Sequence, residues 1–296
     1  MKKKKILGLF LALGLLLTGC GSGSAEGEEE VQTDYSPKDY IIGIEPGSGT
    51  AQTAEEVIEA YRLSQHMTAN SSAVMTQMLG DAYKKKEPIV VTGWTPHWIF
   101  GKYDLKYLDD PKGAFGEPEK IETLTRKGFK EDAPGAYEIL DNFYWTPEDM
   151  ESVLMDIHEG EEVKVAAKRW VDEHRDLVKE WTQGVPDGNG QKIKLGYTIW
   201  DSEYSSAHVV MTVLEEKGYD VIMMAVEPGP LFAALAYGSC DATVSAWLPK
   251  THKNYMEKYG HMIEDLGPNL EGASIGFVVP EYMDIDSIED LKDYGK

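Results

Sequence analysis

Three of the seven tryptophans in this chain stand where an apolar strand is predicted to end. Trp94 and Trp247 each close an apolar run rich in β-branched residues, and Trp200 closes a third run. The face of an indole ring attracts a cation by about 0.5–2 kcal/mol. Because a quaternary ammonium group has no N–H to donate, ring faces rather than hydrogen-bonding side chains are suited to recognise it. If the three rings meet, their chemistry is that of a cation cage.

The strands that carry these rings belong to two modules of similar layout. Trp94 and Trp247 are each followed by a proline two residues later, where a strand has to stop. An upstream strand precedes each of them, 50 residues from Ile44 to Trp94 and 48 residues from Ile199 to Trp247. This spacing predicts two α/β lobes of common design whose sheet edges form a cleft. A chance similarity of two βαβ units is the alternative.

A glycine-rich turn follows the first predicted strand. Gly47-Ser48-Gly49 lies between that strand and a helix predicted to open at Thr53. Backbone amides at a helix N-terminus can hold a phosphate or a carboxylate. A plain tight turn is the other interpretation, so this motif by itself does not decide between them.

The remaining tryptophans have a simpler interpretation. Trp145, Trp170 and Trp181 fall in a helical block that begins at Thr146-Pro147, and we expect them to be packing residues. Trp98 and its neighbour His97 stay open between packing near the hinge and contact with a ligand.

Motifs for catalysis are scarce. His158 and Glu159 lack the second histidine of the zinc helix motif, and neither a nucleophile elbow nor a P-loop occurs. The sequence therefore predicts no catalytic residue, no metal site and no cofactor. An enzyme acting on a methylated amine is a weaker hypothesis. Its candidate acids and bases, chosen by location only, are Glu45, Asp201, Glu203 and His252.

The net charge of the chain limits its possible partners, and its cysteine content limits how the fold can be stabilised. The chain carries 29 basic and 51 acidic residues, a net charge of −22, which argues against nucleic acid. Of its two cysteines, Cys240 is expected to be a small buried hydrophobic residue. The fold must therefore depend on its core rather than on disulfides.

The first residues resemble the leader of a bacterial lipoprotein. A basic run at Lys2–Lys5 and an apolar stretch to Leu17 precede Leu17-Thr18-Gly19-Cys20, which is similar to a lipobox. The resemblance implies that residues 1–19 are a signal peptide and that Cys20 is lipidated. Residues 20–38, rich in Gly, Ser and Glu, are predicted to be a flexible tether. An ordinary secretory signal is the alternative.

Five motifs, each at a predicted strand end or turn, combine into one specific pattern. They are Gly43-Ile44-Glu45-Pro46-Gly47-Ser48-Gly49, Thr92-Gly93-Trp94-Thr95-Pro96-His97-Trp98, Leu105-Lys106-Tyr107-Leu108-Asp109-Asp110-Pro111, Trp200-Asp201-Ser202-Glu203 and Ser245-Ala246-Trp247-Leu248-Pro249. With them the chain resembles the substrate-binding lipoproteins of glycine betaine ABC importers, over nearly everything from Tyr40 onward. The resemblance implies an α/β, two-lobed periplasmic-binding-protein (Venus flytrap) fold of the circularly shifted type. Residues 39–98 and 282–296 would form lobe A, and residues 99–281 lobe B.

The resemblance also assigns the binding residues. Trp94, Trp200 and Trp247 match the family's tryptophan prism around the trimethylammonium group. The amides of Gly49 and Thr50 match those that hold the ligand carboxylate, and His252 matches a histidine near that end. Position 50 is threonine where an aliphatic residue is expected, but a backbone contact does not depend on the side chain.

The expected function follows from these assignments. The chain would capture glycine betaine, or a related betaine, as a compatible solute for osmoprotection. It would sit lipid-anchored on the extracytoplasmic face of the cell membrane and deliver its ligand to an ABC permease and its ATPase. A receptor for choline, carnitine, ectoine or another quaternary ammonium compound is the alternative.

Overall fold

A computed structural model describes residues 35–295, which belong to one compact unit. The predicted signal peptide, the lipidation site Cys20 and most of the predicted tether lie outside the described residues. In residues 35–295, none of the helices is both long enough and apolar enough to cross a membrane.

Within residues 35–295, nine strands form one continuous mixed sheet. Along the sheet their order is β2-β1-β3-β9-β5-β8-β6-β7, and β4 pairs with the end of β9. The strands are β1 (Tyr40–Ile42), β2 (His66–Thr68), β3 (Val91–Thr95), β4 (Leu105–Tyr107), β5 (Glu119–Arg126), β6 (Lys192–Tyr197), β7 (Asp220–Ala225), β8 (Ala242–Leu248) and β9 (Ile263–Pro280).

The two predicted modules have the same layout in the sheet. In the first, β1 lies between β2 and β3 and is parallel to both, and in the second, β6 lies between β7 and β8 and is parallel to both. Trp94 lies on β3 and Trp247 on β8, the corresponding strands of the two modules. The prediction of two α/β units of common design is confirmed, although β2 is a short strand that the sequence had not indicated.

The long strand β9 joins the two modules. Its residues Ser274–Val278 pair with β3, and its residues Ile263–Ala273 pair with β5. The sequence predicted only the last six residues of this strand, Ile275–Pro280. Gly267, Pro268 and Gly272 break the apolar pattern, and register shifts against β5 accommodate the irregular part.

The lobe boundaries drawn from the sequence stay a prediction. Because β4 and β3 both pair with the C-terminal part of β9, we propose a larger lobe A. On this proposal lobe A comprises residues 39–118 and 274–295, and lobe B comprises residues 119–273. These ranges are used for the two lobes below.

Eleven α-helices and two short 3₁₀ segments surround the sheet in the described part of the chain. Side-chain caps mark several starts: Ser48 and Ser71 accept from backbone amides, and Thr146 forms a capping box with Asp149. The helices are α1 (Gly49–Tyr61), α2 (Ser72–Lys85), α3 (Trp98–Lys102), α4 (Phe129–Asp132), α5 (Pro134–Asn142), α6 (Pro147–His158), α7 (Val163–Glu173), α8 (Arg175–Thr182), α9 (Asp201–Glu216), α10 (Pro228–Ala236) and α11 (Lys253–Tyr259), with 3₁₀ turns at Gly260–Met262 and Ile288–Lys292.

Helix α1 begins four residues earlier than predicted, at Gly49 rather than Thr53. The Ser48 side chain accepts a hydrogen bond from the Ala51 amide at 3.1 Å, which starts the helix within the glycine-rich turn. The Gly49 and Thr50 amides therefore belong to the first turn of a helix.

The core of lobe B contains the predicted packing tryptophans. Trp145, Trp170 and Trp181 are buried, with the Trp170 ring 5.5 Å from Trp145 and 5.9 Å from Trp181 between centroids. Their packing role is confirmed. Cys240 is also buried, as expected, and burial raises the pKa of its thiol to about 12, which keeps it protonated.

Candidate ligand-binding site

A small cavity lies where the strand ends of the two lobes meet. Trp94, Trp200 and Trp247 all line it, and their side chains are buried. Ile44 and Ile275 complete an apolar wall.

Two of the indoles are held by carboxylates at their N–H edges. Trp247 Nε1 donates to Glu203 Oε1 at 2.6 Å, and Trp200 Nε1 donates to Glu45 Oε2 at 3.2 Å. The second bond crosses between the lobes, because Glu45 follows β1 and Trp200 caps α9. The Trp247 ring is therefore oriented from within its own lobe, whereas the bond that holds Trp200 depends on the approach of the two lobes.

The N-terminus of α1 borders the cavity through Thr50. Ser48 caps the third amide of this helix, and among residues 35–295 neither the Gly49 amide nor the Thr50 amide has an acceptor. Unpaired N–H groups and the positive end of the helix dipole favour a negative group there. The apolar cage and this polar end together suit a ligand with a bulky cation and a carboxylate.

His252 is close to the cavity without lining it. It follows Thr251, which does line the cavity, and its Nδ1 accepts from the Trp247 amide at 2.9 Å. The proton of the neutral ring is therefore on Nε2, which is buried and without a partner in the described part of the chain. Burial lowers the pKa of His252 to about 3, so the ring stays neutral and offers one free N–H.

The loop that carries Thr251 and His252 is held by Glu119, which sequence reasoning missed. Glu119 is buried at the start of β5, and its Oε1 accepts from the amides of Lys250 and Thr251 at 2.6 and 2.8 Å. Its other oxygen accepts from the Thr251 hydroxyl. No sequence signal could have identified it, because these partners are more than a hundred positions away in the chain.

Trp98 lies across the cleft rather than in the cavity wall. Its Nε1 donates to Asp201 Oδ2 at 2.6 Å, and its ring stacks on His158 with 3.8 Å between centroids. His97 is buried against Trp94, and its Nδ1 accepts from the Ile99 amide at 3.2 Å. Burial lowers the pKa of His97 to about 3. Trp98 thus contacts the opposite lobe, while His97 supports Trp94 and the start of α3.

Further contacts join the rims of the two lobes. Tyr255 donates its hydroxyl to the Gly47 carbonyl at 3.2 Å, and Asn254 donates to the Gln52 side chain at 2.7 Å. Both run from α11 to the segment around the start of α1. The structure therefore describes the lobes closed over the cavity.

The structure thus brings Trp94, Trp200, Trp247 and Thr50 to one cavity, with Gly49 packed against Thr251 beside it. His252 stands one residue behind the wall. Glu203 also lines the cavity, although the sequence had suggested it only as an acid of a hypothetical enzyme. The signal for Glu203 was its place in the first turn of the helix that begins beside Trp200.

The sequence is similar to that of known transport proteins. Residues 26–173 and 191–296 match the family described as the substrate binding domain of the ABC-type glycine betaine transport system. The glycine betaine/carnitine transport binding protein GbuC of Listeria monocytogenes is 44% identical over 297 residues, which is 99% of each chain.

Solved structures give partial matches. Lactococcal OpuAC in its closed-liganded conformation with glycine betaine is 46% identical, with a TM-score of 0.47 over 49% of this chain and 57% of that chain. The glycine betaine/L-proline-binding protein ProX of Borrelia burgdorferi is 29% identical, with a TM-score of 0.47 over 58% of this chain and 59% of that chain. The chain therefore spans somewhat more than half the length of these two solved structures.

Proposed function

We propose, since the chain belongs to the family of substrate-binding domains of ABC-type glycine betaine transport systems, that it captures glycine betaine and delivers it to the permease of its importer. The family is one of transport substrate-binding proteins, not of enzymes, and its members work outside the cytoplasm. The observation that carries the proposal for the ligand is the single small cavity lined by Trp94, Trp200 and Trp247.

The cage suits the trimethylammonium end of glycine betaine. Each indole face offers a cation–π contact of about 0.5–2 kcal/mol, which is strongest where water is excluded. The three rings are 4%, 7% and 3% exposed, so water has little access to them. A methylated ammonium also places apolar methyl groups against Ile44 and Ile275, whose side chains have no polar atom that could accept from the N–H groups of a primary ammonium.

The polar end suits the carboxylate. We assign it to the Gly49 and Thr50 amides at the start of α1 and to the Nε2–H of His252. These three donors come from both sides of the cleft, because Gly49 packs against Thr251 of the opposite lobe. Without a ligand, the two amides have no hydrogen-bond acceptor among the described residues of the closed cleft. A bound carboxylate would supply the acceptor for both N–H groups.

With these assignments, the protein would capture its ligand by closing the two lobes around it. Trp94 and Thr50 belong to lobe A, whereas Trp200, Trp247 and Thr251 belong to lobe B. A ligand that touches both lobes binds the closed form more tightly than the open form and shifts the population toward it. The closed form would then be the state that the permease and its ATPase recognise, and the imported solute would serve osmoprotection.

We further propose a lipid anchor at Cys20, which would hold the domain at the extracytoplasmic face of the cell membrane. The proposal rests on the Leu17–Cys20 motif, since these positions lie outside the described residues. Residues 20–38 would act as the tether between the anchor and the first strand. Mass spectrometry of the membrane-bound protein tests this, because a diacylglyceryl group on Cys20 adds a characteristic mass and a Cys20→Ala variant would be released.

Carnitine is the second candidate ligand, because the relative with 44% identity is named for both glycine betaine and carnitine. Carnitine also carries a trimethylammonium group and a carboxylate, separated by a longer chain. Choline carries the same cation but no carboxylate, so the Gly49 and Thr50 amides would lose their acceptor.

Calorimetric titration with the three compounds tests the proposal. We expect glycine betaine to bind tightly and choline to bind at least about tenfold more weakly, the cost of leaving buried donors unpaired. If carnitine binds more tightly than glycine betaine, carnitine is the ligand. A preference for choline would overturn the assignment of the carboxylate site. If none of the three compounds binds, the proposed function is overturned.

Replacing Trp98 with phenylalanine should weaken glycine betaine binding by about three- to tenfold, because the closed form loses the hydrogen bond from Trp98 Nε1 to Asp201. The phenyl ring keeps an aromatic surface for His158, and the cavity wall is unchanged. Stopped-flow measurements should show the loss mainly as faster dissociation. Trp181→Phe, a substitution in the packed helices of lobe B, is the matched control and should leave the affinity unchanged. An equal loss of affinity in both variants would contradict a role of the Trp98–Asp201 hydrogen bond in holding the lobes closed.

A further inference from the structure

Glu203 is a buried carboxyl group at the wall of the tryptophan cavity. Its side chain is 2% exposed, and it sits in the first turn of α9. Oε1 accepts from Trp247 Nε1 at 2.6 Å, and Oε2 accepts from the Ser202 hydroxyl at 2.8 Å. These two donors, and the Glu203 amide that also bonds to the carboxyl group, are all neutral.

Nothing of opposite charge is provided for this carboxylate by the described residues. No lysine, arginine or histidine among residues 35–295 forms an ion pair with Glu203, and no basic group influences its titration. Burial raises the pKa of Glu203 to about 7. A buried carboxylate without a basic partner is costly, so Glu203 either takes up a proton or is paired with a cation that the described residues do not supply.

We infer that Glu203 is the counter-charge of the ligand's quaternary ammonium group, and that it sets the preference of the cavity for a cationic over a neutral head group. The inference rests on the proposed function and adds to it a specificity-determining residue. Three neutral indoles and two isoleucines would also hold an uncharged group of the same shape. A carboxylate in the same wall discriminates, because it attracts the cation and is left unpaired by a neutral isostere.

If Glu203 has this role, the affinity for the ligand depends on pH, and the direction of that dependence can be predicted. The bound cation stabilises the ionised form of Glu203, so binding below about pH 7 releases a proton and the affinity rises as the pH increases toward that value. Above it the affinity levels off. The other titratable side chains around the cavity are Asp201 on the same helix, Glu45 after β1, His97 after β3, His158 at the end of α6 and His252 before α11.

The test compares two ligands in two proteins. Glycine betaine and 3,3-dimethylbutanoate have the same shape, but carbon replaces the charged nitrogen in the second. Glu203→Gln keeps the size of the side chain and an oxygen that can accept from Trp247 Nε1. We expect it to weaken glycine betaine binding by about 10- to 100-fold and to change binding of 3,3-dimethylbutanoate, whose head group is uncharged, by less than about threefold.

Glu215→Gln is the matched control, since it removes an equal charge from the exposed far end of the same helix. It should leave both affinities unchanged. If Glu203→Gln weakens both ligands equally, Glu203 only orients Trp247 and the inference is overturned. If it weakens neither, the inference is overturned while the proposed function stands. A wild-type protein that binds no glycine betaine overturns the proposed function, and the inference with it.

A second measurement needs no variant and therefore does not depend on the folding of Glu203→Gln. Titrations of wild-type protein near pH 6, in buffers with different ionisation enthalpies, report the protons released on binding. We expect release approaching one proton with glycine betaine and much less with 3,3-dimethylbutanoate. Equal release with both ligands would assign the titration to another group and overturn the role of Glu203.

Discussion

Trp247→Ala is expected to weaken glycine betaine binding by about 100-fold or more. The substitution removes one wall of the cavity together with its cation–π contact, and it deprives Glu203 of the indole N–H at 2.6 Å. Calorimetry with the purified variant measures the effect. An unchanged affinity would contradict the assignment of the cage.

Trp247 is also part of the core, so its loss has a cost in stability. The side chain is 3% exposed, and truncation of a buried tryptophan destabilises a protein by about 3–5 kcal/mol. Trp181→Ala provides the control, because it removes an equally buried indole from the helices of lobe B. Both variants should unfold at lower denaturant concentration, but only Trp247→Ala should lose its ligand. Trp247→Phe, which keeps most of the volume, separates the two effects if the alanine variant does not fold.

Gly49→Ala is expected to weaken binding by about 10- to 100-fold without reducing the stability of the unliganded protein. A methyl group on Gly49 would lie 1.9 Å from the Thr251 carbonyl oxygen and 2.7 Å from Thr251 Cγ2. Because we assign these atoms to opposite lobes, we expect the clash only when the cleft is closed. We expect no clash in the open form, and alanine is a better helix former than glycine.

Affinity and thermal unfolding, measured on the same sample, check this prediction. Gly229→Ala is the matched control, because it adds a methyl group in the first turn of α10, where the nearest atom is 3.6 Å away. It should change neither quantity. A Gly49→Ala variant that unfolds at a clearly lower temperature without ligand would show that the approach of Gly49 to Thr251 is needed for folding rather than for closure.

Local pattern was enough to predict the elements that carry the rings. β3 and β8 end immediately before Pro96 and Pro249, as expected from residues that cannot continue a strand. Their equal places in two similar modules followed from spacing alone. The helical block with its packed tryptophans was likewise readable, because caps and apolar periodicity are properties of neighbouring residues.

Irregular elements were less predictable from local pattern. Most of β9 was missed, because glycine and proline at 267, 268 and 272 are typical of loops, and pairing with β5 over a whole strand outweighs that preference. The start of α1 was placed at Thr53 instead of Gly49, since the Ser48 cap was read as part of a turn.

What the sequence alone determined is which residues could recognise a methylated cation and on which strand ends they stand. Only the tertiary structure decided that these ends meet in one cavity and that Glu119 holds the Thr251 loop. It also showed that Glu203 is buried there with no basic partner among residues 35–295. The physical reason is the sequence range of the interactions involved. Strand ends and caps depend on neighbours a few positions away, whereas burial and the absence of a counter-charge depend on every segment that packs around a side chain.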